Sequence, residues 1–188
     1  DPSSDGTEEF IESLHSRDPR FKMVRFSRRF GQPIATMAGI ELAQGDAVVV
    51  IDADLQDPPE LIPDFLRLWE QGYENVYGIV TERQGTGPIR TFNSKAFYWL
   101  ANMLTDGRVT KNASDFRLID KTVYETVRAM DERNRFVRGL FSWVGFNSIG
   151  VPMVRPPRHG GVSNAHTFKV LDLAFKGIFA HSYKDRKS

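Results

Sequence analysis

The first half of the chain alternates between apolar runs and segments with helical spacing. Residues 46–52 read DAVVVID, a continuous apolar run typical of a strand buried on both faces of a sheet. Helical segments with proline near the start and glycine at the end lie on either side of it, at 32–45 and 58–72. Shorter runs at 21–26 and 74–80 have the composition of strands. This alternation predicts an α/β fold with a mostly parallel sheet flanked by helices.

The second half adds longer helices and shorter extended segments. Residues 88–104 predict a long, aromatic-rich helix, and residues 114–120 and 147–154 predict extended segments. Residues 166–182 predict an amphipathic helix. Its charged stripe contains Lys169, Asp172 and Lys176, and its apolar stripe contains Phe168, Leu171, Phe175 and Phe179.

Two carboxylates follow the apolar run directly. Asp52 and Asp54 come where the predicted strand ends, and ligands of open α/β sheets bind at the carboxyl ends of the strands. A divalent cation relieves the repulsion between two close carboxylates, and Mg²⁺ or Mn²⁺ takes one or two carboxylates together with substrate phosphate oxygens. Gln56 offers a further neutral oxygen ligand. The sequence therefore predicts a metal and phosphate site at this strand end.

Two alternatives remain open for the same motif. In the first, the motif has no function and the two aspartates are solvated acids at the end of a strand, because Asp-x-Asp is short and common. The other is an aspartyl-nucleophile phosphatase, in which the first aspartate, Asp52, attacks phosphorus. Such enzymes usually continue with a hydroxyl residue, whereas Leu55, Gln56 and Asp57 follow here.

Composition and charge narrow the function classes. The 188 residues contain no cysteine, which excludes disulfides and thiolate metal sites. No stretch of about 18 apolar residues predicts a transmembrane helix. Residues 1–131 carry 15 Lys and Arg against 21 Asp and Glu, whereas residues 132–188 carry 10 against 3. The basic last third predicts an anionic partner, and a basic membrane-binding or nucleic-acid-binding module without catalysis is the alternative for it.

Several motifs together resemble one known family. They are SSDGT at 3–7, the long block from Ser27 to Ile62, SDFRLID at 114–120 and ERNRFVRGLFSWVGF at 132–146. They resemble the polyprenyl-phosphate glycosyltransferases, which include the dolichol-phosphate mannose synthases and the bacterial undecaprenyl-phosphate glucosyltransferases. DFRL and RNRFVRG make the bacterial branch the closer likeness. The non-catalytic module leaves the long block unexplained, so no nucleic-acid partner is expected.

The resemblance implies a GT-A (Rossmann-like) fold and an inverting, metal-dependent transfer. A hexose would pass from a nucleotide sugar, of the UDP-glucose or GDP-mannose type, to a polyprenyl phosphate. Asp54 and Gln56 would hold Mg²⁺ or Mn²⁺, and Asp52 would contact the ribose side of the donor or support the metal. Asp1 and Arg83 complete the predicted donor-binding set.

The resemblance also implies residues for the acceptor side. A lipid phosphate is ionised at neutral pH, so it requires positioning and charge neutralisation more than a strong base. Asp115 and Arg117 are the predicted catalytic residues. The predicted phosphate-binding and acceptor-binding residues are Arg90, Arg135, Arg138, Arg158 and Ser163.

The predicted organisation is a catalytic domain at 1–164 followed by an amphipathic membrane-proximal segment at 165–188. The resemblance implies a position at the cytoplasmic face of a membrane, and it makes a homo-oligomer possible. Family members begin with further strands ahead of the position of Asp1, so the sequence is expected to lack the N-terminal strands that form much of the base pocket. In the stretch RHGGVSNA, Asn164 stands where the family has lysine, and Asn112 and Ser114 stand where the bacterial branch commonly has Asp and Gly.

Overall fold

The computed structural model describes residues 2–83, 112–130, 140–141 and 144–156. These residues divide into two compact units at the boundary between Gln44 and Gly45. None of the helices in this part of the chain is long and apolar enough to cross a membrane.

The first unit contains two helices. Helix α1 (Thr7–Arg17) starts beside Asp5, whose carboxylate accepts hydrogen bonds from the backbone N–H and the hydroxyl of Thr7. The helix has acidic residues in its first turn and basic residues in its last turn, as the helix dipole favours. Helix α2 (Gln32–Leu42) has proline in its first turn, where the missing N–H costs nothing. The prediction of a helix at 32–45 is confirmed.

The predicted strand at 21–26 is wrong, because these residues have no regular structure. Phe21 and Val24 are exposed, so the alternation does not mark a buried face. Residues of α1 contact this segment through polar side chains. His15 Nδ1 lies 2.6 Å from the carbonyl oxygen of Phe21, and Arg25 forms an ion pair with Glu8 at 2.6 Å.

The second unit is built on a sheet with four strands in the described residues. They are β1 (Ala47–Val50), β2 (Asn75–Arg83), β3 (Ala113–Asp120) and β4 (Ser148–Arg155), in the spatial order β1-β3-β2-β4. Strand β3 is antiparallel to β1 and β2, and β4 is parallel to β2. Three strands therefore share one direction and β3 opposes them, so the α/β class is confirmed with a mixed sheet.

The helices of this unit whose bounds are fully described contact the sheet. A short 3₁₀ turn (Pro59–Leu61) leads into α3 (Ile62–Glu70), which contacts β2 and β3, and α4 (Lys121–Ala129) contacts β1 and β3. The ring of Phe65 on α3 packs on Phe116 of β3, with 4.7 Å between the ring centroids. Both side chains are fully buried, so they anchor the core of this layer.

Strand β1 departs from its prediction in one respect. The sequence run predicts burial on both faces, but all four residues of β1 are half-buried. The reason is its position: β1 pairs only with β3 among the described strands, so it lies at the edge of the sheet that the described residues form. The predicted helix at 88–104 and amphipathic helix at 166–182 lie outside the described residues.

Candidate active site

The candidate site lies at one end of the sheet. The carboxyl ends of β1, β2 and β4 meet there with the start of the antiparallel β3. The register pairs Val50 with Arg117, Ile79 with Ala113, and Arg83 with Arg155. Ligands in α/β sheets bind at this end of the strands, so the fold brings the Asp52 loop to the expected place.

The loop that follows β1 is a tight turn held by its own side chains. The backbone N–H of Gln56 donates to the Asp54 carboxylate at 3.2 Å, and Leu55 has a φ of 59°. A positive φ in a leucine is strained and persists only where surrounding contacts fix it. The loop therefore holds Asp52 and Asp54 in one backbone arrangement.

Asp57 is the most deeply buried acid of the site. It is 1% exposed, and its Oδ1 accepts hydrogen bonds from Arg155 Nη2 at 2.6 Å and Nε at 3.0 Å. Its Oδ2 accepts the backbone N–H of Asp52 at 3.4 Å, and the Ser114 hydroxyl lies 3.4 Å from Oδ1. A buried carboxylate requires such partners, and here they come from three separate segments of the chain.

Four carboxylates surround the strand end. Burial raises the pKa of Asp52, and the negative charges of Asp57, Asp115 and Asp54 raise it further. Arg155, whose Nη2 lies 3.7 Å from the Asp52 carboxylate, opposes these effects without cancelling them. Burial and the neighbouring acids thus act together against the negative charge of Asp52, and a cation bound beside it would favour that charge.

The two predicted catalytic residues occupy different environments on β3. Asp115 is half-buried and near enough to Asp52 to raise its pKa. Arg117 is 3% exposed, donates to the backbone carbonyl of Ser114 at 3.0 Å and lies 4.8 Å from the ring centroid of Phe141. Arg117 is therefore a buried cation with protein partners of its own, and its contact with substrate stays a prediction.

The predicted metal ligands lie together on the loop. Asp54 and Gln56 are half-buried, and Gln56 Nε2 donates to the carbonyl oxygen of Pro156 at 3.0 Å. Within the described ranges, no group of three or more His, Cys, Asp or Glu side chains is arranged to hold a metal ion. The binding of a metal ion by Asp54 and Gln56 stays a prediction.

The remaining predicted residues divide into two groups. Arg83 ends β2 and pairs with Arg155 in the register, which places its backbone at the site end of the sheet. The others lie outside the described residues: Asp1, Arg90, Arg135, Arg138, Arg158 and Ser163.

Sequence reasoning missed the roles of Asp57 and Arg155. Asp57 enters the sequence prediction only as a residue that follows the Asp-x-Asp motif, and Arg155 is not among the predicted site residues. The two residues lie 98 positions apart, so no local pattern connects them. The one available indication was an acid within an otherwise apolar and proline-rich stretch, which requires a partner when it is buried.

Comparison with known proteins identifies the family. The model of glycosyl transferase family 2 matches residues 1–130. The chain is 43% identical, over its whole length, to the uncharacterized glycosyltransferase YkcC of Bacillus subtilis. It is 37% identical over 97% of its length both to the bactoprenol glucosyl transferase of Shigella phage SfV and to a prophage bactoprenol glucosyl transferase homolog of Escherichia coli.

These relatives are longer proteins. The chain spans 58%, 59% and 60% of their respective lengths. The two relatives named bactoprenol glucosyl transferases agree with the resemblance to the polyprenyl-phosphate glycosyltransferases, and the α/β sheet is in keeping with the GT-A fold expected for that family. The chain belongs to glycosyl transferase family 2.

Proposed function

We propose that the chain is the donor-binding part of an enzyme that passes a hexose from a nucleotide sugar to a polyprenyl phosphate. The observation that carries the proposal is the group of carboxylates at the carboxyl end of β1, in a chain of glycosyl transferase family 2. The lipid acceptor is inferred from relatives named bactoprenol glucosyl transferases. UDP-glucose and GDP-mannose remain the two candidate types of donor.

The donor set at the loop suits a hard divalent cation. Carboxylate and amide oxygens are the ligands that Mg²⁺ and Mn²⁺ prefer, and a cation beside Asp52 would favour the charge that burial and the neighbouring acids disfavour. Asp54 and Gln56 would hold the ion, since the Gln56 nitrogen is engaged by Pro156 and its oxygen is the atom suited to a cation. A bound ion would neutralise the donor diphosphate as it leaves.

The residues of the chain position the reactants in this proposal. The acceptor phosphate is an anionic nucleophile at neutral pH, so attack from the face opposite the leaving diphosphate inverts the sugar without a strong base. Asp115 faces the same site as Asp52 and is proposed to orient the transferring sugar. Arg90, Arg135, Arg138, Arg158 and Ser163 are proposed to bind the acceptor phosphate, because arginine forms paired hydrogen bonds to phosphate.

The membrane assignment rests on sequence alone. The basic excess of residues 132–188 and the amphipathic pattern at 166–182 support binding to an anionic lipid surface at the cytoplasmic face of a membrane. A lipid acceptor requires such a location, because its phosphate lies at the bilayer surface.

A transfer assay tests the proposal. The whole protein is incubated with labelled UDP-glucose or GDP-mannose, a polyprenyl phosphate and Mn²⁺, and label in the lipid fraction is measured. We expect transfer with one donor, loss of transfer with a chelator, and no transfer to the unphosphorylated polyprenol. Release of inorganic phosphate without sugar transfer would favour the aspartyl phosphatase instead, and equal transfer to the polyprenol would contradict the proposed acceptor.

A further inference from the structure

We infer that Asp57 is a positioning residue: together with Arg155 it fixes the 52–57 loop against the end of β4 and so orients the carboxylates that face the donor. The inference rests on the proposed function for the role of those carboxylates. The pair itself is a matter of described contacts, and it joins residues 98 positions apart.

The Asp57 carboxylate accepts hydrogen bonds both from the 52–57 loop and from the end of β4. On the loop side, its Oδ2 accepts the backbone N–H of Asp52 at 3.4 Å, which closes the turn from inside. On the sheet side, its Oδ1 accepts two N–H groups of Arg155, at 2.6 and 3.0 Å, and lies near the Ser114 hydroxyl. A paired, charge-assisted contact of this kind is stronger and more directional than a neutral hydrogen bond.

A second contact ties the same two segments. Gln56 Nε2 donates to the carbonyl oxygen of Pro156, the residue after Arg155, at 3.0 Å. The strained left-handed Leu55 lies between Asp54 and Gln56, so the turn depends on contacts at both of its ends. Two adjacent loop residues thus bind two adjacent residues at the end of β4.

The pair also controls where the positive charge lies. Arg155 Nη2 is 2.6 Å from Asp57 but 3.7 Å from the Asp52 carboxylate. Arg155 therefore contacts both acids, and the buried Asp57 is its closer, doubly hydrogen-bonded partner. Without Asp57, Arg155 is expected to move closer to Asp52 and to compete with any cation or donor there.

The test compares the conservative variant Asp57→Asn with the wild-type whole protein. Amide hydrogen exchange at residues 52–57 reports on the loop, and calorimetry with UDP-glucose and GDP-mannose in Mn²⁺ reports on the donor site. We expect faster exchange confined to the loop, and donor affinity lower by about 10- to 100-fold, as is typical when residues supporting metal ligands are removed. Arg155→Lys, which keeps the charge but not the paired geometry, is expected to lose less than Arg155→Gln.

Asp120→Asn is the matched control, because Asp120 is also a half-buried, hydrogen-bonded aspartate but lies at the other end of the sheet. It is expected to leave loop exchange and donor affinity near wild type. The double variant Asp57→Asn with Arg155→Gln is expected to lose less than the sum of the single variants, since the two residues act through each other.

Two outcomes would overturn the inference. One is exchange that rises equally across the sheet in Asp57→Asn, which describes general destabilisation. The other is wild-type donor affinity in both Asp57→Asn and Arg155→Gln. Failure of the proposed function gives a different result: wild type itself binds neither donor, while the exchange experiment still shows whether the pair fixes the loop.

Discussion

The pKa values of two aspartates, one at each end of the sheet, are shifted in opposite directions. At the end opposite the site, Asp120 lies at the junction of β3 and α4, where it accepts hydrogen bonds from Thr122 and from Trp69 Nε1. Partial burial alone would raise the pKa of Asp120, but these hydrogen bonds lower it. At the site end, burial and neighbouring acids raise the pKa of Asp52.

The difference distinguishes an aspartate with a structural role from an aspartate of the candidate site. The charge of Asp120 is favoured by the fold, because neutral donors surround it and it caps α4 through the Thr122 N–H at 2.8 Å. The charge of Asp52 is disfavoured by the fold, because burial and the negative charges of Asp57, Asp115 and Asp54 act against it. A carboxylate whose pKa is raised by burial and by neighbouring charges marks a candidate functional site.

The largest expected effect on stability comes from the structural end. Asp120→Ala removes the α4 cap and the acceptor for Trp69 Nε1, so we expect the free energy of unfolding to fall by about 1–2 kcal/mol. Donor affinity is expected to stay near wild type. Urea unfolding and donor calorimetry measure the two quantities, and a large loss of donor affinity would break the separation between the two ends.

A smaller effect of opposite sign is expected at the site end. Asp52→Asn removes one of the crowded charges, so we expect the midpoint of thermal unfolding to rise by about 1–2 °C, while donor affinity falls. Differential scanning calorimetry measures the unfolding midpoint, and donor titration on the same samples measures the affinity. A lower unfolding temperature would mean that the Asp52 charge stabilises the fold, contrary to the comparison.

The smallest expected effect is on the free energy of unfolding at acid pH. Because the folded-state pKa of Asp120 is below its ordinary value of 3.8, its contribution is fully present above that value and is lost as the pH falls through the lowered pKa. The stability difference between wild type and Asp120→Asn is therefore expected to shrink as the pH drops below 3.8. Unfolding measured from pH 5 to pH 2.5 tests the sign, and a difference that grows toward low pH would contradict it.

Local patterns predicted most of the described elements, but they missed one helix and gave one false strand. The apolar run at 46–52 and the predicted extended segment at 114–120 appear as β1 and β3. Helix α4 was missed, although Asp120 is a suitable cap and Val123, Tyr124 and Val127 have helical spacing. The alternation at 21–26 gave a false strand, since alternation alone does not supply a pairing partner.

The candidate site was predictable in part for the same reason. Asp52 and Asp54 follow an apolar strand in sequence, so the position of their loop could be foreseen. Asp57, Arg155 and Ser114 meet only through the sheet order, in which β3 and β4 arrive from distant parts of the chain. A single sequence contains no pattern that fixes such a contact.

The measurement that tests the central claim most directly is calorimetric binding of UDP-glucose and GDP-mannose, with and without Mn²⁺. It compares wild type, Asp54→Ala and the control Asp64→Ala, which removes an acid paired with Arg67 on α3. We predict metal-dependent binding of one donor by wild type and by Asp64→Ala, and its loss in Asp54→Ala. Equal, metal-independent binding by all three proteins would contradict the assignment of the β1 strand end as the donor site.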